Sequence, residues 1–240
     1  MLHVWYLCHS GFAVETDRHF LVFDYWKDTP QGGSLATGTV NPGDLAGTGK
    51  RVVVFVSHRH PDHFNPVIFD WKRQNPQIEL ILSDDIPLPG DIEAHMMSPD
   101  RIERIAGLNV QTLSSNDEGV AFVVEDAKKR IFHAGDLNWW HWESEPDAWN
   151  DEMKRLYIDE ISRLEGLSID LAFFPADPRL GRMALAGLDY LMRNVTVKSV
   201  IPMHFWQGER VVETLVEGPA CKDYRDRIRL LTARGQHISL

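Results

Sequence analysis

The chain has two cysteines in 240 residues, Cys8 and Cys221. That is too few for a disulfide framework or a thiolate zinc cluster, so any metal must be held by nitrogen and oxygen. No apolar run approaches the roughly 20 residues a membrane helix needs. The opening MLHVWYLCHSGF lacks the basic start and clean apolar stretch of a secretory signal, so a cytoplasmic protein without a membrane partner is expected. Positive charge is also scarce: 25 Lys and Arg stand against 35 Asp and Glu, a net charge of −10. A field of that sign repels polyanions, which argues against a nucleic-acid partner and for a small-molecule substrate. Repeats and low-complexity tracts are missing too. What remains, 43% hydrophobic and 25% charged residues, is ordinary for a globular chain and excludes disordered or fibrous classes. The length is read as one domain, residues 1–240. Eleven histidines make a nitrogen-rich metal site worth seeking.

Short apolar runs at Val4–Leu7, Phe12–Glu15 and Phe20–Phe23, broken by Gly11 and by Thr16-Asp17-Arg18, predict a meander of hairpins. The Gly-, Pro- and Thr-rich stretch from Thr29 to Lys50 is expected to be a surface loop without a helix or central strand. Val52–Val56 is continuously apolar and β-branched, the pattern of a strand buried on both faces. Further strands are predicted at Ile78–Leu82, Gln111–Leu113, Val120–Glu125, Arg130–Ala134, Leu171–Phe174 and Ser199–Pro202. Met153, Leu156, Tyr157, Ile161 and Leu164 recur at helical spacing over Asp147–Leu164, with Gly166 placed to stop the helix, and Arg182–Arg193 is read as another. Two β-rich segments, each followed by helix and without a compositional linker, favour one four-layered α/β domain.

The buried strand ending at Val56 runs into Ser57-His58-Arg59-His60-Pro61-Asp62-His63. Four ligand-type side chains fall within six residues, and one turn at a strand end can aim them at one point. Imidazole and carboxylate suit Zn²⁺, Mn²⁺ or Fe²⁺, and a catalytic site keeps a position for water, whose pKa falls to about 7 on zinc.

His58, His60, Asp62 and His63 match the signature His-x-His-x-Asp-His, and on it the chain resembles the metallo-β-lactamase superfamily. The resemblance extends to Tyr6–Asp24, similar to the family's opening hairpins, to Ala134-Gly135-Asp136, similar to its bridging-aspartate motif, and to Pro202-Met203-His204, similar to its last histidine. It implies an αβ/βα four-layer sandwich with one or two metals, His58 and His60 on the first, Asp62, His63 and His204 on the second, and Asp136 between them. Zinc is the implied metal, with manganese or iron as alternatives. The family supplies another histidine to the first metal, roughly where this chain reads TLSSNDEG from Thr112 to Gly119. Asp117 is the first choice for a replacement ligand, with Glu118, His133 and His141 as alternatives; Asp117 is equally readable as an acidic turn residue, and His133 as a packed histidine. Relatives that reduce oxygen or nitric oxide at a di-iron centre resemble this pattern with a carboxylate in the place of His60, so the histidine favours hydrolysis.

His9-Ser10 resembles the Gly-His-Ser element of a subgroup of small hydrolases, with Cys8 where glycine stands. His9 is read either as lining the pocket or as packed at a hairpin end. Trp139, Trp140 and Trp142, with Trp149 beyond, follow the proposed bridging aspartate, and Trp206 follows His204. They either wall a substrate pocket, Trp139, Trp140 and Trp206 foremost, or cap the sheet edge. Arg179 and Arg182 are candidates for clamping a substrate anion or for solvated ion pairs. The expected activity is that of a metallo-hydrolase in which metal-bound hydroxide attacks an ester, lactone or similar electrophile, with Asp62 and Asp136 central. The alternatives are a phosphodiesterase of the same fold, a mononuclear iron dioxygenase acting on a thiol or persulfide, and a metal-binding protein with reduced catalysis.

Overall fold

In a computed structural model, which describes residues 1–206 and 208–240, strands β1 (His3–Cys8), β2 (Gly11–Glu15) and β3 (His19–Phe23) form the predicted meander. After α1 (Pro42–Gly47) come β4 (Arg51–Val56), α2 (Val67–Gln74), β5 (Glu79–Ser83) and β6 (His95–Met97). The second run holds β7 (Ile102–Ile105), β8 (Leu108–Ser114), β9 (Val120–Asp126) and β10 (Lys129–His133). It continues with α3 (Asp147–Ser162), β11 (Ser168–Ile169), β12 (Leu171–Pro175), α4 (Ala186–Asn194), β13 (Thr196–Val197), β14 (Val200–Met203), α5 (Glu209–Glu217) and β15 (His237–Ser239).

Seven strands make one sheet in the order β15-β1-β2-β3-β4-β5-β6, and six make the other in the order β14-β12-β10-β9-β8-β7. Strict alternation divides the first sheet's side chains. Phe20, Val22, Val52, Val54, Leu80 and Leu82 join Ile68, Phe69 and Trp71 of α2 in an outer core. Leu21, Phe23, Val53, Phe55 and Ile81 point the other way, into a core shared with the second sheet and with α3, α4 and α5. A strand apolar on both faces therefore reads as one continuous run, and the expected α/β four-layer sandwich is the observed one.

The stretch 29–50 departs from expectation. It contains a 3₁₀ turn, Leu35–Thr37, and α1. Asn41 caps α1 by accepting the Gly43 N–H at 2.9 Å, and Pro42 at the first helical position needs no donor. Leu45 anchors the turn in the outer core. The predicted helix 182–193 also breaks: residues Pro178–Met183 form 3₁₀ turns with Gly181 at φ 57°, and α4 begins only at Ala186.

The two ends of the chain meet. β15 pairs with β1, and the Arg234 guanidinium donates to the carbonyls of Leu7, Lys27, Thr29 and Gly38. Away from that corner, Asp126 of the second sheet accepts from Thr16 Oγ1 at 2.5 Å and His19 Nδ1 at 2.9 Å of the first. Among the described residues, no helix is long and apolar enough to cross a membrane.

Phe12 of β2 stacks on Phe173 of β12 with ring centroids 4.1 Å apart, and both are fully buried between the sheets. Phe12→Ala is expected to cost about 3–5 kcal/mol of unfolding free energy, measured by denaturant titration, because the rigid sheets cannot collapse into the void.

Candidate metal centre

Five chain segments meet at one rim of the sandwich: the β1–β2 turn, the ends of β4, β10 and β14, and the β8–β9 turn. Close backbone approach makes this possible. A Cβ on Gly119 (φ 69°) would lie 2.1 Å from the Ser57 carbonyl oxygen, and one on Gly135 (φ 52°) 2.8 Å from the Ser57 Cβ. Only glycine lets the two turns press against the strand end that carries His58. Asn116 ties the β8–β9 turn to the loop after Asp136, donating to the Asn138 carbonyl at 2.8 Å and accepting the Asn138 N–H at 3.2 Å.

Two groups of ligand-type side chains result. His58, His60, Asp117 and Asp136 form the first, and His9, Asp62, His63 and His204 the second. Within each group the donor atoms all lie within 4.8 Å of one another. Asp136 reaches both: its carboxylate lies 3.5 Å from His58 Nε2, 3.2 Å from His63 Nε2 and 3.4 Å from His204 Nε2. Two donors on one tetrahedral cation with bonds of about 2.1 Å stand about 3.4 Å apart, so these separations match donors sharing an ion.

The outward nitrogens of three histidines are already committed. His63 Nδ1 meets Asp24 at 2.7 Å, His58 Nδ1 meets Ser57 Oγ at 2.9 Å, and His204 Nδ1 meets Asp177 at 3.0 Å. Ser57 Oγ itself donates to Asp24 at 2.7 Å, so His58 donates to the serine. Each ring therefore turns an Nε2 lone pair inward, the arrangement that orients metal-bound imidazoles. His58 Nε2, His63 Nε2 and Asp136 Oδ1 are buried without hydrogen-bond partners. Buried polar atoms of native proteins are rarely left so, and a divalent cation would satisfy them together.

The electrostatics agree. Burial opposes charge on His63, yet Asp136 and Asp24 outweigh it and hold that imidazole well above its ordinary value. Burial likewise opposes charge on His204, but Asp136 and Asp177 raise it to about 9. Asp136 is held well below the carboxylate range by His63 and His204 against its burial. The carboxylates thus make this a place that favours positive charge, and a cation bound there would compete with protons for the imidazoles. His58 and His9 are pushed down to about 4 by burial and are neutral donors at physiological pH. Asp117 is raised by burial and by the facing Asp136 carboxylate, a crowding of like charge that a cation relieves.

Of the candidates for the missing histidine, Asp117 is the one that joins the first group. Glu118 pairs with Arg59 at 3.2 Å and comes within 3.4 Å of His60 Nε2, but it does not gather with His58 and Asp136 as Asp117 does. His133 has both ring nitrogens engaged, with the Ser10 carbonyl and the Gly135 N–H, and stacks on Phe23. His141 belongs to neither group. His9 is likewise no pocket wall; it is buried inside the second group. Sequence reading missed Asp24 and Asp177 as the carboxylates that orient His63 and His204. Their only signal is an aspartate directly after a buried strand, or one residue beyond it.

A cavity of about 270 Å³ opens over Asp62, Asp117 and Asp136, walled by Trp140, Trp142, Trp149 and Trp206. Trp140 is fixed by its indole N–H on the Asp136 carbonyl at 2.8 Å. Trp139 points away, packing near Tyr157 and Tyr190 under the Lys154 ammonium; a tight turn, closed by the Trp140 N–H on the Asn138 carbonyl at 2.9 Å, separates the two indoles, and Trp140 takes the cavity side. Arg179 lies over the rings of Trp142 and Trp206 and pairs with Asp177. Arg182 is exposed, 3.9 Å from Glu143, and does not line the cavity.

No protein-family profile and no curated protein matches the sequence. Solved structures do match the fold. Igni18, a metallo hydrolase from Ignicoccus hospitalis, superposes with a TM-score of 0.68 at 14% identity, over 99% of this chain and 97% of that one. The metallo-β-lactamase fold protein YhfI from Bacillus subtilis gives 0.63 at 13% identity over the whole of both chains. CmlA, a diiron β-hydroxylase from Streptomyces venezuelae, gives 0.62 at 12% identity, covering all of this chain and 54% of its own. On these superpositions, the two facing sheets with helices outside are those of a known architecture: the chain has the metallo-β-lactamase fold.

Proposed function

We propose that this chain is a metal-dependent hydrolase of small molecules, acting on an ester, lactone or similar electrophile. The observation that carries the reading is the pair of ligand groups with inward, unpartnered donors, open to a tryptophan-walled cavity. Divalent cations held there supply Lewis acidity and a water of lowered pKa. The protein's own part is positional. Asp62 lines the cavity and belongs to the second group, where it would help hold a cation and orient a water beside it. The tryptophan walls accept a flat or apolar group and exclude bulk solvent. Arg179, raised above its ordinary pKa by Asp177, keeps donors free for an anionic substituent.

A second reading, iron-dependent oxidation, is favoured by Asp117. A carboxylate in place of an imidazole makes the first group richer in oxygen, and oxygen donors shift preference from zinc toward iron or manganese. The diiron name of CmlA suggests that the fold accommodates such chemistry.

Elemental analysis of the purified chain, with a panel of esters, lactones and phosphodiesters and an oxygen electrode, tests both. Two zinc or manganese ions with turnover on esters or lactones support hydrolysis. Bound iron with substrate-dependent oxygen uptake, and silence on the panel, replaces it with the second reading. Asp136→Ala should reduce turnover by more than about a hundredfold, beyond the 10–100-fold typical of groups that only orient a ligand; full activity overturns the metal mechanism. Asp24→Asn should fall within that smaller range in metal affinity, measured by competition with a chelator. Asp117→Ala should lose about one equivalent of metal, whereas Asp117→His should keep two and shift the bound metal toward zinc.

A further inference from the structure

His9 lies outside the signature that supplies the other ligands, and the turn that carries it is built at a cost. Its backbone is left-handed at φ 56°, a region that non-glycine residues seldom occupy and that persists where surrounding contacts impose it. Here they are a hydrogen bond from the His9 N–H to the Tyr6 hydroxyl at 2.7 Å and one from the His204 N–H to the His9 carbonyl at 3.5 Å. The result turns the imidazole inward. Its ring lies 4.2 Å from that of His204 and 5.5 Å from that of His63, its side chain is 2% exposed, and neither ring nitrogen has a hydrogen-bond partner. Nε2 stands 3.4 Å from Asp62 Oδ2, the spacing of two donors on one tetrahedral ion. A packed core histidine would have its nitrogens satisfied, as those of His133 are.

We propose that His9 is a ligand of the second metal, so that His9, Asp62, His63 and His204 form one coordination set. The proposal rests on the metal-dependent reading above and assigns its two positions different work. In the second set His9, His63 and His204 are 2%, 0% and 4% exposed, while Asp62, at 21%, faces the cavity. In the first, His58 and Asp136 are as buried, at 0% and 7%, but His60 and Asp117 are 38% and 44% exposed at the cavity rim. With four protein donors, three of them buried imidazoles, the second position holds its ion the more tightly. The exchangeable ion, and the open coordination place facing substrate, belong to the first.

The test is titration of the metal-stripped full chain with Co²⁺, followed by visible absorption and calorimetry, for wild type, His9→Gly and His9→Asn. Both replacements tolerate a left-handed backbone, so the turn survives, and thermal unfolding of the metal-free chains checks that it does. Wild type should take two equivalents, one tight. In both variants the tight phase should weaken at least tenfold with a changed absorption band, while the weaker phase stays as it was. Wild-type affinity and spectrum in both variants overturn the proposal, as does a loss confined to the weaker phase or a wild type that takes up no Co²⁺. Because the readout is binding, a chain inactive on every ester, lactone and phosphodiester yet weakened by His9→Gly ends the hydrolase reading and leaves this one standing.

Discussion

A carboxylate with no access to water must be given hydrogen bonds or charge, and the architecture of this rim is largely the means by which Asp24 receives both. Sitting fully buried after β3, it accepts the Ser57 N–H and hydroxyl and faces His63 Nδ1. One side chain thereby joins the end of β3 to the end of β4, selects the tautomer of His63 directly, and selects that of His58 through Ser57. Asp177 repeats the device on the second sheet with His204 and Arg179. Asp136 then faces three imidazoles whose orientation is already decided. The order of dependence runs from the buried acids outward to the donors, and from the donors to whatever they hold.

The two groups are unequal for a reason that lies in the topology. The second is assembled from the β1–β2 turn, the inner side of the helical turn after β4 and the end of β14, and three of its four side chains are buried. The first takes His60 from the outer side of that same turn and Asp117 from the β8–β9 turn, both partly in solvent. A carboxylate in the more exposed set and an additional imidazole in the more buried one push the two positions toward different affinities and different metals. Hydrolysis and oxidation therefore compete at the level of one residue, Asp117, while the remainder of the frame serves either.

Much of this was legible in the sequence because it is written locally. His58, His60, Asp62 and His63 lie within six residues at the end of Val52–Val56, and the alternation that buries both faces of β4 makes that run unmistakable. The layers follow from where apolar runs and helical periods fall. Asp117 was legible as a gap in a pattern that a neighbouring acid could fill. Asp24, Asp177 and the coordinating disposition of His9 were not, because their roles exist only once β3 meets β4, β12 meets β14, and the first turn meets the last strand of the second sheet. Trp139 and Trp140 are indistinguishable in sequence; the indole hydrogen bond of Trp140 to the Asp136 carbonyl decides which faces the cavity. The short helix α1 was hidden by its glycines, although Asn41-Pro42 is a sound beginning for one.

The Arg234 guanidinium, clasping the carbonyls of Leu7, Lys27, Thr29 and Gly38, closes a contact across 227 residues of sequence. Contacts of such separation carry a larger loop-closure entropy than local ones. The strand they steady, β1, ends beside His9. The corner of the rim that encloses His9 is therefore braced by residues far from it in sequence, and the second group depends on them to exist as a single pocket.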